Sequence, residues 1–342
     1  MIKKFILLSA CALFLIHLSK AQSSDTQANY SVVPRPVFLV KETGFFKMNA
    51  NTRFIVPETL RQTARLLKEE LLFSEVKTTH PQIIRFELIK NDPSLGKEGY
   101  RLFISPHEIR IISANKEGAI HGMFTLIQLQ QIQPDGYLIP CLEITDKPRF
   151  AYRGFMLDVS RHFFPISFIQ KLINLMAVYK LNNLHLHLTD GAGWRLQVPK
   201  YPLLTSVAAW RPQETLQQWW ENGRHYSQEG DPNAYGGYYT PAQLRQLVKY
   251  ASARGINIIP EIEMPAHSEE VLAVYPELSC SGRPYENSSF CIGNDSTFTF
   301  LEDVLTEVMK IFPSKYIHIG GDEASMRSWG DNPLNQALMK RE

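Results

Sequence analysis

The residues best suited to catalysis in this sequence are two adjacent carboxylates, Asp322 and Glu323, which follow Gly320 and Gly321. Two glycines allow a tight turn and the close approach of a ligand to the backbone. A positioned pair of carboxylates can supply the acid and the base that a hydrolytic reaction needs. Because neighbouring side chains of an extended strand point to opposite sides, we expect the two acids to contact different parts of one substrate unless the backbone bends. The alternative is a pair of acids that stabilises the start of the next helix.

Charged side chains also follow three earlier apolar segments. The first segment leads to Arg161, whose guanidinium can form paired hydrogen bonds to neighbouring oxygens of a polyol, or an ion pair with Asp158 or Asp190. Asp190 itself follows the second segment, and the third segment leads to Glu263 and His267. These residue types predict a site for a polar ligand.

Two histidines at alternate positions, His185 and His187, are a possible metal pair, and Asp190, His267 and His318 could complete a metal site. The alternative is a set of hydrogen-bonded side chains in the protein interior. We favour a site without metal or cofactor, because the carboxylate pair and the arginine suit a polyol better. Aromatic residues between the second strand and the second helix could stack on sugars or simply pack within a long loop; they are Trp194, Trp210, Trp219, Trp220, Tyr238 and Tyr239.

The elements that must position these residues alternate between strand and helix after residue 148. The pattern predicts strands at 155–159, 184–188, 256–262 and 316–319, and helices at 168–179, 241–253 and 298–312. Alternation of this kind indicates a parallel sheet, and charged residues at four strand ends indicate a TIM-type (β/α)8 barrel. A doubly wound sheet is the rival fold, but it usually carries a glycine-rich loop after its first strand, and the residues at 161–164 are Arg, His, Phe and Phe.

The segment before residue 148 has a different order of predicted strands and helices. It predicts strands at 54–56, 83–89, 100–104 and 109–112, and helices at 59–73 and 118–132. We therefore expect a small α+β domain over 30–147 with a mostly antiparallel sheet, followed by a barrel domain over 148–342.

The N-terminus predicts export. Residues 1–21 carry three lysines, a short apolar run and a small-residue cleavage site, which is typical of a signal peptide and too short for a comfortable transmembrane helix. A lipid anchor at Cys11 is the less favoured alternative. The full chain has 342 residues, with 36 basic and 34 acidic residues. Without the three lysines of this segment, 33 basic and 34 acidic residues remain, so the net charge gives no reason to expect nucleic-acid binding. We expect a periplasmic or extracellular protein, and the oligomeric state is not readable from sequence.

The expected export would place the chain in an oxidising compartment, where disulfides form and persist. Cys280 and Cys291 flank a polar stretch rich in Gly, Pro, Asn and Ser, which predicts a loop closed by a disulfide bond. Cys141 lies in an apolar run and is expected to be a buried free thiol.

Five ordered motifs resemble glycoside hydrolase family 20, the β-N-acetylhexosaminidases. They are RGFMLDVSRHFFP at 153–165, HLHLTD at 185–190 with GWR at 193–195, GGYYT at 236–240, PEIEMPAHS at 260–268 and YIHIGGDE at 316–323. Residues 30–147 resemble the accessory domain of that family. The resemblance implies removal of terminal β-linked N-acetylglucosamine or N-acetylgalactosamine from a glycan, by a retaining mechanism in which the substrate's acetamido oxygen attacks C1.

The resemblance also implies a role for each matching residue. Glu323 would be the acid and then the base, and Asp322 would hold the acetamido N–H and stabilise positive charge. Arg161 would bind the 3- and 4-hydroxyls. Asp190, Glu263 and His267 would support the acid and the pocket.

The sequence departs from the family pattern in three ways. Gly191 and Ala192 replace an acid and a glutamine, and Ala266 replaces a common glycine. The third departure is length, since about four strand–helix units are present where a barrel has eight. We therefore expect half a barrel and an inactive 22–342 polypeptide. Two rival functions stay open, a metal-dependent hydrolase that uses His185, His187, His267 and Asp322, and a catalytically inactive sugar-binding protein.

Overall fold

The computed structural model describes residues 32–49, 51–71, 81–89, 92–133, 136–325 and 327–342. The proposed signal peptide, including Cys11, lies outside the described residues. Within the described ranges, no helix combines the length and the apolar character that a membrane crossing requires.

The described residues of the N-terminal part form one seven-stranded sheet and two α-helices. The elements are β1 (Phe38–Lys47), β2 (Arg53–Ile55), α1 (Arg61–Glu70), β3 (Ile83–Leu88), β4 (Tyr100–Ile104), β5 (Glu108–Ser113), α2 (Lys116–Leu129), β6 (Gln131–Gln133) and β7 (Gly136–Asp146), with a 3-10 turn at Glu58–Leu60. The sheet order is β1-β7-β4-β5-β3-β2, and β6 pairs with β7. Four of the six strand pairings are antiparallel, and β2–β3 and β3–β5 are parallel.

This arrangement confirms the expected mostly antiparallel sheet, but sequence reasoning missed β1 and β7. Strand β1 is mostly exposed and has a register shift between Lys41 and Phe45, so it shows no regular alternation. Strand β7 contains Pro140, a residue that argues against a strand interior. The predicted second helix also ends at Leu129, because the chain turns there into β6.

Helix α2 lies against the sheet because two glycines remove side chains from its packing face. A Cβ atom at Gly118 would lie 2.2 Å from the carbonyl oxygen of Gly99, and one at Gly122 would lie 2.8 Å from Ile111 Cγ2. Ten of its residues are buried, and the six apolar ones with side chains join the hydrophobic core: Ala119, Ile120, Met123, Phe124, Leu126 and Leu129.

The C-terminal part is built on three parallel strands, β8 (Gly154–Asp158), β9 (Asn183–His187) and β14 (Asn257–Glu261), and β9 lies between the other two. The long helices are α3 (Ile166–Val178), α6 (Pro241–Ala253) and α8 (Asp295–Ile311). The smaller elements are β10 (Thr189–Asp190), β11 (Gly193–Trp194), α4 (Leu203–Ser206), β12 (Trp210–Arg211), α5 (Leu216–Glu221), β13 (Tyr235–Gly236), α7 (Glu269–Val274), a 3-10 turn (Pro276–Leu278), α9 (Arg327–Gly330) and α10 (Pro333–Arg341). The alternation of strand and helix predicted from the sequence is confirmed here.

The predicted fourth strand, 316–319, is reduced to one parallel bridge between Glu261 and His318. His318 N–H donates to the Pro260 carbonyl (2.9 Å), and Ile262 N–H donates to the His318 carbonyl (3.0 Å). The segment therefore follows the edge of β14, but among the described residues no strand pairs with its other side. Only part of the predicted strand pairing therefore forms among the described residues.

Candidate active site

The charged residues that follow the strands come together at one edge of the sheet. Strand β8 ends at Asp158, β9 is followed by Asp190, and β14 is followed by Glu263 and His267. Because parallel strands present their carboxyl ends at the same edge, residues far apart in sequence become neighbours.

Arg161 is held by two carboxylates. Its Nη1 lies 2.7 Å from Asp158 Oδ2, and its Nη2 lies 2.6 Å from Asp190 Oδ2. The backbone N–H groups of Ser160 and Arg161 both donate to the other oxygen of Asp158 (3.0 and 2.9 Å). Both ion pairs considered from the sequence therefore form, and Arg161 still lines a cavity at this edge.

A histidine links the arginine pair to the proposed acid. His267 Nδ1 lies 3.0 Å from Asp190 Oδ2, and His267 Nε2 lies 3.2 Å from Glu323 Oε2. Burial disfavours the imidazolium, but the Asp190 charge and the hydrogen bond to Glu323 outweigh burial and raise the pKa of His267 above its usual value. Side chains from separate strand ends thus form one line of contacts, Arg161–Asp190–His267–Glu323.

Both glycines of the turn before the carboxylates have positive φ, which glycine adopts readily because it has no Cβ. Gly320 has φ 69° and Gly321 has φ 107°, and a Cβ atom at Gly320 would lie 1.7 Å from Glu263 Oε2. Glu263 is buried and accepts a hydrogen bond from Gly321 N–H (3.2 Å). Burial raises the pKa of Glu263. Glu263 does not line the cavity; it holds the turn that carries the acids.

Asp322 and Glu323 lie on that turn, where the backbone bends, so the strand geometry expected from the sequence does not apply. Glu323 has φ 48°, and its side chain is 85% exposed. Asp322 is also exposed. The two carboxylates are therefore open to a ligand.

Glu261 is a residue to which sequence reasoning assigned no role. Its carboxylate contacts His185 (2.8 Å to Nε2), His318 (2.6 Å to Nδ1) and His187. Burial of His187 is outweighed by its hydrogen bonds to Asp190 and Glu261, which raise the pKa of His187 to about 10. His187 is thus a buried cation between two carboxylates. The signal for this network was the alternate spacing of polar residues on two buried strands, which places His187 opposite Glu261.

Two groups of side chains have the composition of a metal site. They are His185 with Glu261 and His318, and His187 with Asp190 and Glu263, and within each group the ligand atoms lie within 4.8 Å of one another. Among the described residues neither group includes His267 or Asp322. The four ligands of the metal-hydrolase hypothesis therefore do not come together as that hypothesis required.

The cavity at this edge has a volume of about 400 Å³, which is within the range of small-molecule sites. Its lining includes Arg161, Asp190, His267 and Glu323. Of the loop aromatics singled out from the sequence, Trp219 and Trp220 line it, and Trp194 and Tyr239 are buried in the core.

The structure confirms both predictions about the cysteines. A disulfide bond joins Cys280 and Cys291, and Cys141 is a buried free cysteine.

The structure is an α/β arrangement in which the candidate site lies at the carboxyl ends of parallel strands. Residues 150–342 match the family model described as glycosyl hydrolase family 20, catalytic domain, and residues 29–147 match the model described as glycosyl hydrolase family 20, domain 2. The chain belongs to glycosyl hydrolase family 20. The catalytic domain of this family is a TIM barrel, preceded by an accessory domain.

Similar proteins carry hexosaminidase names. The chain is 41% identical to a β-hexosaminidase of Akkermansia muciniphila (96% of this chain, 59% of the relative) and 35% identical to one of Porphyromonas gingivalis (96% and 44%). Among solved structures, it is similar to a β-N-acetylhexosaminidase of Bacteroides fragilis (32% identity, TM-score 0.75, 92% of this chain and 60% of that chain). It is also similar to an exo-β-N-acetylglucosaminidase of Vibrio harveyi (31%, TM-score 0.77, 90% and 49%). The chain thus spans about half the length of these relatives.

Proposed function

We propose that the full-length protein is an exo-acting β-N-acetylhexosaminidase that removes terminal N-acetylglucosamine or N-acetylgalactosamine from glycans. The observation that carries this proposal is the line of contacts from Arg161 through Asp190 and His267 to Glu323, which opens into the cavity. The names of the relatives and the family membership support the same activity.

The proposed mechanism retains the configuration at C1 and uses the substrate's own acetamido group. Glu323 gives its proton to the glycosidic oxygen, the C1–O bond breaks, and the acetamido oxygen bonds to C1 to form an oxazolinium ion. Glu323 then takes a proton from water, whose oxygen attacks C1 and reopens the ring. Asp322 accepts a hydrogen bond from the acetamido N–H and stabilises the positive charge. The reaction needs no metal or organic cofactor.

The remaining residues position the substrate and the acid. Arg161 donates to the 3- and 4-hydroxyls, and its orientation is maintained by Asp158 and Asp190. His267 orients Glu323 and shares Asp190 with Arg161, so the sugar-binding and acid functions are coupled through one carboxylate. Glu263 acts indirectly, because it holds the backbone of the turn at Gly321.

The test is a Glu323→Gln substitution in the full-length enzyme. We expect the rate of cleavage of aryl N-acetylglucosaminides with poor leaving groups to fall by roughly 10²- to 10⁴-fold, because protonation of the leaving oxygen is lost. Glu302→Gln, at an exposed position on α8, is the matched control and should leave the rate unchanged. Near-normal cleavage by Glu323→Gln would reject the assignment. Loss of activity after exhaustive EDTA treatment would instead favour a metal-dependent reaction.

We also propose that the strands β8, β9 and β14 and the segment 316–319 supply four of the eight units of the barrel. The parallel order of three strands and the bridge between β14 and His318 support this. A half-barrel leaves an uncovered apolar interior, so we expect a purified 22–342 polypeptide to lack turnover while the full-length enzyme is active. Robust turnover by 22–342 would contradict the proposal.

The remaining domain and location proposals concern residues 1–21 as a signal peptide and an exported, periplasmic or extracellular enzyme. The basic and apolar N-terminal sequence supports them. N-terminal sequencing of the mature protein from the periplasmic fraction is the test. A mature chain that begins at Met1 in the cytoplasm would contradict them.

A further inference from the structure

The cavity has a second group of lining residues that takes no part in the mechanism above. This group comprises Trp220, Arg224, Glu269 and Tyr285. Two of them are large aromatic side chains that remain open to solvent, with Trp220 62% and Tyr285 49% exposed. Large exposed aromatics beside a polar cavity are typical of a surface that contacts a ligand.

The local structure holds Trp220 at the cavity instead of in the core. Helix α5 begins at Leu216, and the Thr215 hydroxyl caps it by accepting from Gln218 N–H (3.2 Å). Trp219 is buried, and its Nε1–H donates to the His225 carbonyl (2.9 Å). Because adjacent residues of a helix point in different directions, anchoring Trp219 leaves Trp220 on the open side.

Arg224 and Glu269 give this aromatic surface a polar edge. The Arg224 guanidinium lies 4.7 Å from the centre of the Trp220 ring, and its Nη1 lies 3.4 Å from Glu269 Oε1. Glu269 comes close to the backbone that follows β10 because residue 191 is glycine. A Cβ atom at Gly191 would lie 2.6 Å from Glu269 Oε2. The glycine therefore leaves the room that this carboxylate fills.

Tyr285 is fixed by its neighbours on the same side of the cavity. Its ring contacts the His225 ring edge-on (4.8 Å between centroids) and stacks with the Tyr226 ring (6.2 Å). The Tyr226 hydroxyl donates to the carbonyl of Gly191, next to Asp190. The aromatic group is thus tied to the same strand end that holds the proposed catalytic line.

We propose that Trp220, Arg224, Glu269 and Tyr285 form a subsite for the sugar on the leaving side of the cleaved bond. The ring of Trp220 would pack on the apolar C–H face of a pyranose, and Glu269 and Arg224 would accept from and donate to its hydroxyls. The subsite continues from Glu323, the residue that protonates the oxygen joining the two sugars. This inference rests on the proposed function and adds that the preferred substrate is a β-linked oligosaccharide with a pyranose next to the released N-acetylhexosamine.

The test compares two substrates of the full-length enzyme, a β-linked N-acetylhexosamine disaccharide and the corresponding methyl glycoside, which lacks the second sugar. The measured quantity is the ratio of kcat/KM for the disaccharide to kcat/KM for the methyl glycoside. We expect Trp220→Ala to lower this ratio about tenfold and Trp220→Phe to restore most of it. Phe298→Ala removes another exposed aromatic, on α8, and is the matched control, with an unchanged ratio. An unchanged ratio in Trp220→Ala would overturn the subsite.

Failure of the proposed function has a different signature, because the wild-type enzyme would then cleave neither substrate. The subsite is in that case decided by equilibrium binding of the disaccharide and of free N-acetylglucosamine, measured by calorimetry. Tighter binding of the disaccharide that is lost in Trp220→Ala supports the subsite. Equal binding of the disaccharide by the wild type and by Trp220→Ala overturns it.

Discussion

Replacing Arg195 by methionine should strongly destabilise the C-terminal part of the chain. Arg195 is completely buried, and its guanidinium donates four hydrogen bonds to backbone carbonyls. The acceptors are the carbonyls of Val159 (3.0 Å), Ser160 (2.5 Å), Ala209 (2.6 Å) and Gly237 (2.9 Å). Arg195 thus joins the end of β8 to two loop segments, immediately before Arg161 of the proposed site.

The magnitude follows from two opposing contributions. Hydrogen bonds from a charged donor are worth about 1.5–3 kcal/mol each, so four of them amount to roughly 6–12 kcal/mol. Burial lowers the pKa of Arg195 from 12.5 to about 10, which corresponds to a cost of about 3 kcal/mol for holding the charged form. Because hydrogen bonds within one network are not additive, we expect a net loss near the lower limit, about 4 kcal/mol in the free energy of unfolding.

Urea denaturation followed by tryptophan fluorescence measures this loss. All five tryptophans lie between residues 194 and 329, so the signal reports on the C-terminal part of the chain. Arg245→Met, at an exposed position on α6, is the matched control and should change the free energy of unfolding by less than about 0.5 kcal/mol. A decrease in the free energy of unfolding below about 1 kcal/mol for Arg195→Met would refute the reasoning. It would mean that leaving the four buried carbonyls without their hydrogen-bond donor costs little free energy.

Three further predictions concern the turn, the buried histidine and the disulfide. Gly320→Ala should reduce kcat/KM at least about 100-fold, because its Cβ would overlap Glu263 and displace the turn; Gly330→Ala, with open space around its Cβ, is the control, and equal rates in the two variants would contradict the prediction. The raised pKa of His187 should stabilise the fold fully below pH 6.5 and progressively less up to about pH 10. The excess stability of the wild type over His187→Gln in urea denaturation should therefore shrink across that range, and a constant or growing difference would argue against a buried cation. Cys280→Ser should lower the free energy of unfolding by about 3 kcal/mol, because an 11-residue loop is no longer closed in the unfolded chain; an equal stability of variant and wild type in the same denaturation assay would count against it.

Local sequence pattern determined the helices and buried strands of this protein to a large extent. The apolar periodicity of 241–253 predicted α6 with the bounds that the structure has. A capping box formed by Thr240 and Gln243 stabilises the start of this helix. Periodicity failed where burial is one-sided or interrupted, as in the exposed strand β1 and in β7 with its internal Pro140. The segment 316–319 has strand-forming residues, but it makes only one bridge to β14, because the extent of pairing depends on a neighbour that is distant in sequence.

The identity of the charged residues at the strand ends was also readable from the sequence, together with the two-glycine turn that precedes Asp322 and Glu323. Which of these residues touch the cavity was decided by tertiary structure. Glu263 was expected to support the acid and the pocket; it is buried, accepts a hydrogen bond from Gly321 N–H and does not line the cavity.

Two adjacent tryptophans illustrate the same division. Trp219 and Trp220 are adjacent and chemically identical, yet Trp219 is buried and Trp220 is 62% exposed. The physical reason is that a side chain's exposure depends on contacts with segments distant in sequence, here the His225 carbonyl that fixes Trp219. The sequence by itself determined which chemical groups this protein has at its strand ends, and the packing of the folded chain decided which of them face a ligand and which support the others.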